Sequence, residues 1–157
     1  MNIIREACVG SVEQAMIAEK RKADRVELCS RLDLDGLTPD RKIIERTINL
    51  LSIPVKVMIR PKSGNFIYSK QDILKMESEI DFCKKIGVSE VVFGMLNENS
   101  EVDIENTNAI AKKATPMDIT FHKAIDHVSD IERNLERLSD VKEITSIFSA
   151  LCNKKYI

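Results

Sequence analysis

Segments that read as β-strands and segments that read as α-helices alternate along almost the whole of this chain. The strand-like segments are short apolar runs, and the segments between them carry apolar residues at helical spacing. Successive parallel strands need a crossover connection, usually a helix, so this order predicts one parallel sheet with helices packed on it. The predicted strands cover residues 3–9, 25–29, 55–59, 90–93 and 117–121, and a sixth strand begins within residues 141–147.

Five predicted helix starts carry recognisable capping residues. In each, a short polar side chain can accept a hydrogen bond from a free N–H of the first helical turn. Gly87 is predicted to end the third helix, because glycine readily adopts the left-handed conformation found just past a helix C-terminus. The predicted caps are Ser11 with Gln14, Thr38 followed by Pro39, Ser69 with Asp72, Asp103, and Ser129 with Glu132.

The charge balance argues against several classes of partner. The 24 basic and 25 acidic residues are interspersed and give a net charge of −1, whereas nucleic acid or an anionic membrane calls for a basic surface. No apolar run reaches the roughly 20 residues that span a bilayer, and Arg5 and Glu6 interrupt the start of the chain where a signal peptide would continue apolar. We expect a cytoplasmic protein with no nucleic-acid or membrane partner, whose four cysteines are reduced thiols.

The tripeptide Glu-x-Cys ends each of the first two predicted strands, as Glu6-Ala7-Cys8 and as Glu27-Leu28-Cys29. Side chains alternate faces along a strand, so the Glu and the Cys of each copy share a face. Adjacent strands lie about 4.8 Å apart, which lets facing sulfurs reach one ion, and thiolates favour Cu(I). Cys8 and Cys29 are therefore candidate copper ligands. The alternative is that both are small buried apolar residues, as free cysteines often are.

Further polar side chains are expected on the same face at the ends of later strands. The alternation places Arg60 and His122 there, and Asp126 lies in the loop that follows. Active sites of βα folds lie at the carboxyl ends of the strands. In one interpretation Arg60 forms structural ion pairs with the buried carboxylates of Glu6 and Glu27. In the other, Glu27, Arg60, His122 and Asp126 form a catalytic or anion-binding pocket for a small anionic metabolite, with His122 as the titrating group; carboxylate and imidazole would also suit a hard divalent cation.

Several strings along the chain resemble the CutC family of copper homeostasis proteins, in an order and spacing that hold from Met1 to about Ser146. The resemblance implies a cytoplasmic TIM-barrel protein associated with copper tolerance, with Cu(I) bound through paired cysteines that match Cys8 and Cys29. It assigns no reaction, so enzymatic activity stays open beside a metal-binding role. The strings are Asp24-Arg25-Val26-Glu27-Leu28-Cys29, Gly36-Leu37-Thr38-Pro39, Val57-Met58-Ile59-Arg60-Pro61, Gly64-Asn65-Phe66-Ile67-Tyr68-Ser69, Val91-Val92-Phe93-Gly94 and Thr120-Phe121-His122-Lys123-Ala124-Ile125-Asp126.

The length of the chain predicts an incomplete barrel. A closed eight-stranded barrel typically needs about 250 residues, whereas 157 residues hold about five βα units and the start of a sixth strand. We expect a single truncated domain over residues 1–157, family-like over 1–146 and divergent over 147–157. Because so few strands cannot close a barrel of that radius, the sheet is expected to be open and to self-associate through its edges.

Overall fold

Six short parallel strands and five α-helices alternate in the structure, a computed structural model that describes residues 3–150. Two 3₁₀ turns, Leu32–Leu34 and Lys123–His127, lie in the loops that follow the second and fifth strands. This is the βα alternation that the sequence predicts. The elements are β1 (Glu6–Val9), α1 (Val12–Lys20), β2 (Arg25–Leu28), α2 (Arg41–Leu50), β3 (Val55–Met58), α3 (Lys70–Ile86), β4 (Glu90–Phe93), α4 (Ile104–Ala114), β5 (Asp118–Phe121), α5 (Ile131–Ser139) and β6 (Ser146–Ile147).

The strands form one sheet in the order β1-β2-β3-β4-β5-β6, each parallel to the next. The sheet curls into a half-barrel. On its concave face, Lys56 of β3 contacts both Glu6 of β1 and Thr120 of β5, each at 3.1 Å, although each of these strands lies two strands away from β3. The predicted fold, an open sheet derived from a TIM barrel, is confirmed.

The helices cover the convex face of the sheet, where the main hydrophobic core lies. Residues that alternate with the interior-facing ones fill it, so β1 to β5 each contribute an apolar face to this core. Cys83 of α3 is fully buried there as a core residue. Burial raises the pKa of its thiol to about 12. The strand residues of this core include Val26, Leu28, Val55, Val57, Val91, Phe93 and Ile119.

Three of the predicted helix starts are confirmed. Ser11 accepts a hydrogen bond from the N–H of Gln14, and Asp103 caps α4 in the same way. Ser69 and Asp72 form a reciprocal capping box at the start of α3. Gly87 ends α3 in the left-handed conformation, with φ +82°.

The start of α2 was predicted wrongly. Asp40, rather than Thr38, caps this helix, and its carboxylate accepts a hydrogen bond from the N–H of Lys42 at 2.8 Å. The hydroxyl of Thr38 instead accepts a hydrogen bond from the N–H of Arg60 at 2.8 Å. Thr38 therefore joins the loop after β2 to the end of β3.

The last unit also differs from its prediction. Asp130 caps α5, with its carboxylate accepting from the N–H of Arg133 at 3.1 Å, so Ser129 is not the cap. The sixth strand is restricted to Ser146–Ile147. Within residues 3–150, β1 and β6 are the two edges of the sheet, and no helix in this range is long and apolar enough to cross a membrane.

Candidate thiol site at the carboxyl end of the sheet

A cavity of about 440 Å³ opens at the carboxyl ends of the strands, on the concave face. Several of the interior-facing residues predicted from strand alternation line it, among them Glu6 and Cys8 of the first Glu-x-Cys motif and Glu27 of the second. The side chains of the loops after β2, β3 and β5 complete its walls. Its lining residues are Glu6, Cys8, Glu27, Leu32, Asp35, Met58, Arg60, Phe66, His122, Lys123 and Phe148.

The thiols of Cys8 and Cys29 lie side by side at the edge of this cavity, which Cys8 lines, whereas Cys29 is buried next to it and is not a lining residue. Their Sγ atoms are 3.7 Å apart, although Cys29 follows the last residue of β2 and Cys8 lies within β1. One carboxylate oxygen, Glu27 Oε1, lies 3.8 Å from Cys8 Sγ and 3.6 Å from Cys29 Sγ. These three residues, here called the thiol site, each offer a ligand atom within 4.8 Å of the others.

The two thiols of this site are electrostatically different. The hydrogen bond shared with Cys29 lowers the pKa of the Cys8 thiol, and Cys8 is exposed. The same bond and the burial of Cys29 raise the pKa of the Cys29 thiol. Burial, and then the nearby negative charge of Glu6, raise the pKa of the Glu27 carboxyl. Cys8 is thus the thiol that ionises first, with Cys29 as its hydrogen-bond donor.

A second group of polar side chains lies below the thiol site, nearer the amino ends of the strands. Lys56 is at its centre, with Nζ 2.8 Å from Glu90 and 3.1 Å from Glu6. Thr120 accepts a hydrogen bond from Lys56 and donates one to Glu90, and Glu6 also pairs with Arg25. We call Glu6, Lys56, Glu90 and Thr120 the lower polar layer.

The predicted ion pairs between Arg60 and the two glutamates are wrong. Glu6 pairs with Lys56 and Arg25, and Glu27 meets the thiols. The guanidinium of Arg60 instead donates hydrogen bonds to backbone carbonyls of the neighbouring loops. Its carbonyl partners are Leu34 at 2.9 Å, Gly36 at 3.0 Å and Gly64 at 3.0 Å.

Arg60 nevertheless lines the cavity, and it is only 2% exposed. Its guanidinium carbon lies 4.8 Å from the centre of the Phe66 ring, a cation–π distance. Among residues 3–150, no carboxylate lies within 4.0 Å of its nitrogen atoms. The loop carbonyls and the ring therefore compensate most of its buried charge.

His122 lies on the wall opposite the thiols, in a single tautomer. Its Nδ1 accepts a hydrogen bond from the N–H of Ala124 at 3.2 Å. Burial, with the charge of Arg60, lowers its pKa to about 3, so the ring is neutral and carries its proton on Nε2. This Nε2 is buried and has no hydrogen-bond partner in the described part of the chain. A Cβ at Gly94 would lie 2.5 Å from Nδ1, which explains the glycine at the end of β4.

Asp126 and Lys123 occupy places that strand alternation did not predict. Asp126 does not line the cavity; it accepts hydrogen bonds from Ser149 Oγ at 2.5 Å and from the N–H of Ala150 at 2.8 Å. A continued strand would place Lys123 on the face opposite His122, yet Lys123 lines the cavity and pairs with Asp35 at 2.6 Å. The chain turns into a 3₁₀ helix at Lys123, so the two-residue period ends there.

Other lining residues come from loops and were not predicted from sequence. Leu32, Asp35 and Phe66 belong to the loops after β2 and β3, and Phe148 follows β6. Phe66 contacts both Arg60 and His122. No periodic signal in the sequence indicates where a loop side chain will lie.

A parallel half-barrel with convergent polar groups at the carboxyl ends of its strands has the architecture of the TIM-barrel class. Residues 3–146 match the sequence model of the CutC family. The chain belongs to the CutC family.

Relatives of known sequence agree with this assignment. The copper homeostasis protein cutC homolog of Homo sapiens is 41% identical over 135 residues, which are 86% of this chain and 50% of that protein. A family protein CutC of Histophilus somni is 38% identical over 136 residues, or 87% of this chain and 56% of that protein. The chain spans about half the length of the curated relatives it matches.

Solved structures support the same fold. The crystal structure of a copper homeostasis protein CutC from Streptococcus agalactiae superposes with a TM-score of 0.88 at 29% identity, covering 94% of this chain and 72% of that one. A phosphonopyruvate hydrolase superposes with a TM-score of 0.64 at 13% identity, covering 95% and 59%. At that identity the second likeness concerns the fold alone.

Proposed function

We propose that this chain acts in copper homeostasis by binding Cu(I) through the thiols of Cys8 and Cys29. The observation that carries the proposal is the 3.7 Å separation of the two Sγ atoms, at a place where Cys8 lines an open cavity. Soft thiolate ligands select Cu(I) over the hard cations that carboxylates prefer. The family membership and the name of the human relative support copper as the metal.

The separation of the sulfurs fits a shared ion without a large movement. Metal–sulfur bonds of about 2.3 Å put two sulfurs of a tetrahedral ion about 3.8 Å apart, close to the 3.7 Å between Cys8 and Cys29. The carboxylate of Glu27 is near enough to serve as a third, harder ligand. Zinc is therefore the metal against which selectivity for Cu(I) has to be measured.

A competition titration with a Cu(I) chelator tests the proposal. The full chain is expected to bind one Cu(I), and Cys8→Ser and Cys29→Ser are each expected to weaken binding by at least about tenfold. Cys83→Ala is the matched control, because Cys83 is a free thiol buried in the helix-side core. Undiminished affinity in both serine variants would remove the pair as ligands.

The same cavity supports a second candidate, the binding or turnover of a small anionic metabolite. Its volume of about 440 Å³ suits a small organic ligand more than a bare ion. His122 offers the unpartnered Nε2–H, and Lys123 lines the same wall. Arg60 contributes less than predicted, since Nη1 and Nη2 already donate to three loop carbonyls, although its buried Nε has no hydrogen-bond partner within residues 3–150.

Calorimetry with oxalate and with inorganic phosphate tests this second candidate. Saturable binding that His122→Phe and Lys123→Met both weaken would support it. The control is Lys142→Met, an exposed lysine outside the cavity. Binding that all three variants leave unchanged would contradict it.

We also propose that the chain works in the cytosol and associates with itself through the edges of its sheet. Cys8, Cys29 and Cys83 are free thiols, which suits a reducing compartment. An unpaired strand edge is a template for pairing with a second chain. Light scattering coupled to size exclusion should detect a dimer that Ile147→Lys in β6 weakens and Ile17→Lys on α1 does not. A stable wild-type monomer would contradict self-association.

A further inference from the structure

The loop after β2 packs its backbone directly against the thiol site. Gly36 is buried in this loop with φ +83°. A Cβ at this position would lie 3.2 Å from Cys29 Sγ and 3.3 Å from Cys29 Cβ. Only glycine meets both conditions, the left-handed backbone and the close approach to sulfur. The contact fixes one side of the Cys29 side chain.

Arg60 holds this loop in place from the cavity side. Its Nη1 donates to the carbonyls of Leu34 at 2.9 Å and of Gly36 at 3.0 Å. Its backbone pairs with Thr38, whose N–H donates to the Arg60 carbonyl at 3.0 Å. A planar guanidinium can satisfy several carbonyls at once, which a lysine ammonium cannot do in the same geometry. Arg60 therefore sets the position of Gly36.

The rest of the loop leaves Cys29 little other freedom. The N–H of Cys29 donates to the carbonyl of Val9 in the neighbouring strand at 2.9 Å. Ser30 and Leu37 exchange two backbone hydrogen bonds of 2.8 and 2.7 Å, which closes the loop directly behind the cysteine. Backbone and side chain of Cys29 are thus held from separate directions, and its sulfur is presented to Cys8.

We infer that Gly36 and Arg60 are positioning residues for the thiol site. Arg60 clamps the loop, and Gly36, through contact with Cys29, keeps the two sulfurs at the separation that one ion needs. This inference rests on the proposed Cu(I) function, and it gives Arg60 a role other than that of a ligand for substrate. Neither residue touches the ion itself.

Alanine substitution at three glycines separates the contact from the backbone strain. Gly36, Gly64 and Gly87 all have φ between +82° and +87°, but a Cβ at Gly64 or Gly87 meets no atom within 4 Å. Gly36→Ala is expected to weaken Cu(I) binding by about tenfold or more, and Gly87→Ala to leave it unchanged. Gly64→Ala measures the effect of backbone strain, without a Cβ clash, in the loop after β3, where the Gly64 carbonyl also accepts a hydrogen bond from Arg60. Wild-type affinity in Gly36→Ala, or an equal loss in Gly87→Ala, would overturn the inference.

Thiol alkylation tests the same inference without copper. Iodoacetamide labelling of the apo chain, followed by peptide mass spectrometry, gives a separate rate for Cys29 and for Cys83. Gly36→Ala and Arg60→Lys are both expected to accelerate labelling of Cys29 relative to Cys83, because the loop no longer holds the thiol. Unchanged relative rates in both variants would overturn the inference. If the wild-type chain binds no Cu(I) but the labelling rates still change as expected, the proposed Cu(I) function is refuted and the positioning role of Gly36 and Arg60 is not.

Discussion

The interior of the half-barrel contains two levels of polar side chains, and they differ in how completely those side chains are paired. In the lower polar layer, Lys56 meets Glu6, Glu90 and Thr120 within 3.1 Å. In the thiol site above it, the contacts are sulfur contacts of 3.6 to 3.8 Å. Across the cavity, Nε2 of His122 has no partner within residues 3–150.

This difference indicates a division of roles along the strands. Buried polar groups are costly unless they are hydrogen-bonded, so a fully paired network belongs to the folded framework. Groups whose pairing is weak or missing in the free protein are available to a ligand. The division agrees with the general rule that conserved chemistry in βα barrels lies at the carboxyl ends of the strands.

The largest effect on stability is expected from Lys56→Met. Removing this ammonium leaves the carboxylate of Glu90 buried without its closest cation, which should cost about 3–5 kcal/mol of unfolding free energy. Urea unfolding followed by circular dichroism measures the loss. Lys123→Met is the matched control, because its partner Asp35 is exposed and stays solvated when the lysine is removed, so the loss should be less than about 1 kcal/mol. Equal losses would abolish the distinction between the two levels.

A smaller effect is expected from the protonation of His122. Its pKa is lowered to about 3 in the folded chain from about 6.5 in the unfolded chain. Below pH 6.5 the unfolded chain binds a proton at this histidine that the folded chain does not bind. The free energy of unfolding is therefore expected to fall by about 2 kcal/mol between pH 7 and pH 5. Urea midpoints should show this loss in the wild type and in His127→Gln, whose ring is exposed. His122→Gln should lack it, and a slope identical to the wild type in that variant would refute the assignment.

The smallest effect is expected from Glu27→Gln. Burial raises the pKa of this carboxyl, so its ionised form opposes folding above the ordinary glutamate pKa of about 4.3. The variant should be more stable than the wild type at pH 7, by less than about 1 kcal/mol, and the gain should vanish near pH 4. Glu132→Gln on α5 is the exposed control. A variant less stable than the wild type at pH 7 would place Glu27 among the structural ion pairs.

Strand alternation in the sequence predicted much of the site. The two-residue period correctly brought Glu6, Cys8, Glu27, Arg60 and His122 to one cavity. This succeeded because each of these residues lies in a strand or within two residues of its end, where the extended backbone still decides the face. The parallel order of the strands followed from the crossover helices in the same way.

The partners of these residues were not predictable in the same way. Arg60 was expected to bind carboxylates, but the closest acceptors are carbonyls of loops whose path no period encodes. Lys56, which is the actual partner of Glu6 two strands away at 3.1 Å, lies still closer to Glu90, its register neighbour on β4, at 2.8 Å. Lys123 changed face because a 3₁₀ turn begins there. Curvature and loop conformation depend on tertiary packing, which single-residue patterns do not contain.

X-ray absorption at the copper K-edge of the Cu(I)-loaded chain would identify the atoms bound to the ion. Two sulfur neighbours are expected in the wild type and in Cys83→Ala, and one of them should be lost in Cys29→Ser. A spectrum with only nitrogen and oxygen neighbours, or a sulfur count that Cys29→Ser leaves unchanged, would contradict Cu(I) binding through Cys8 and Cys29.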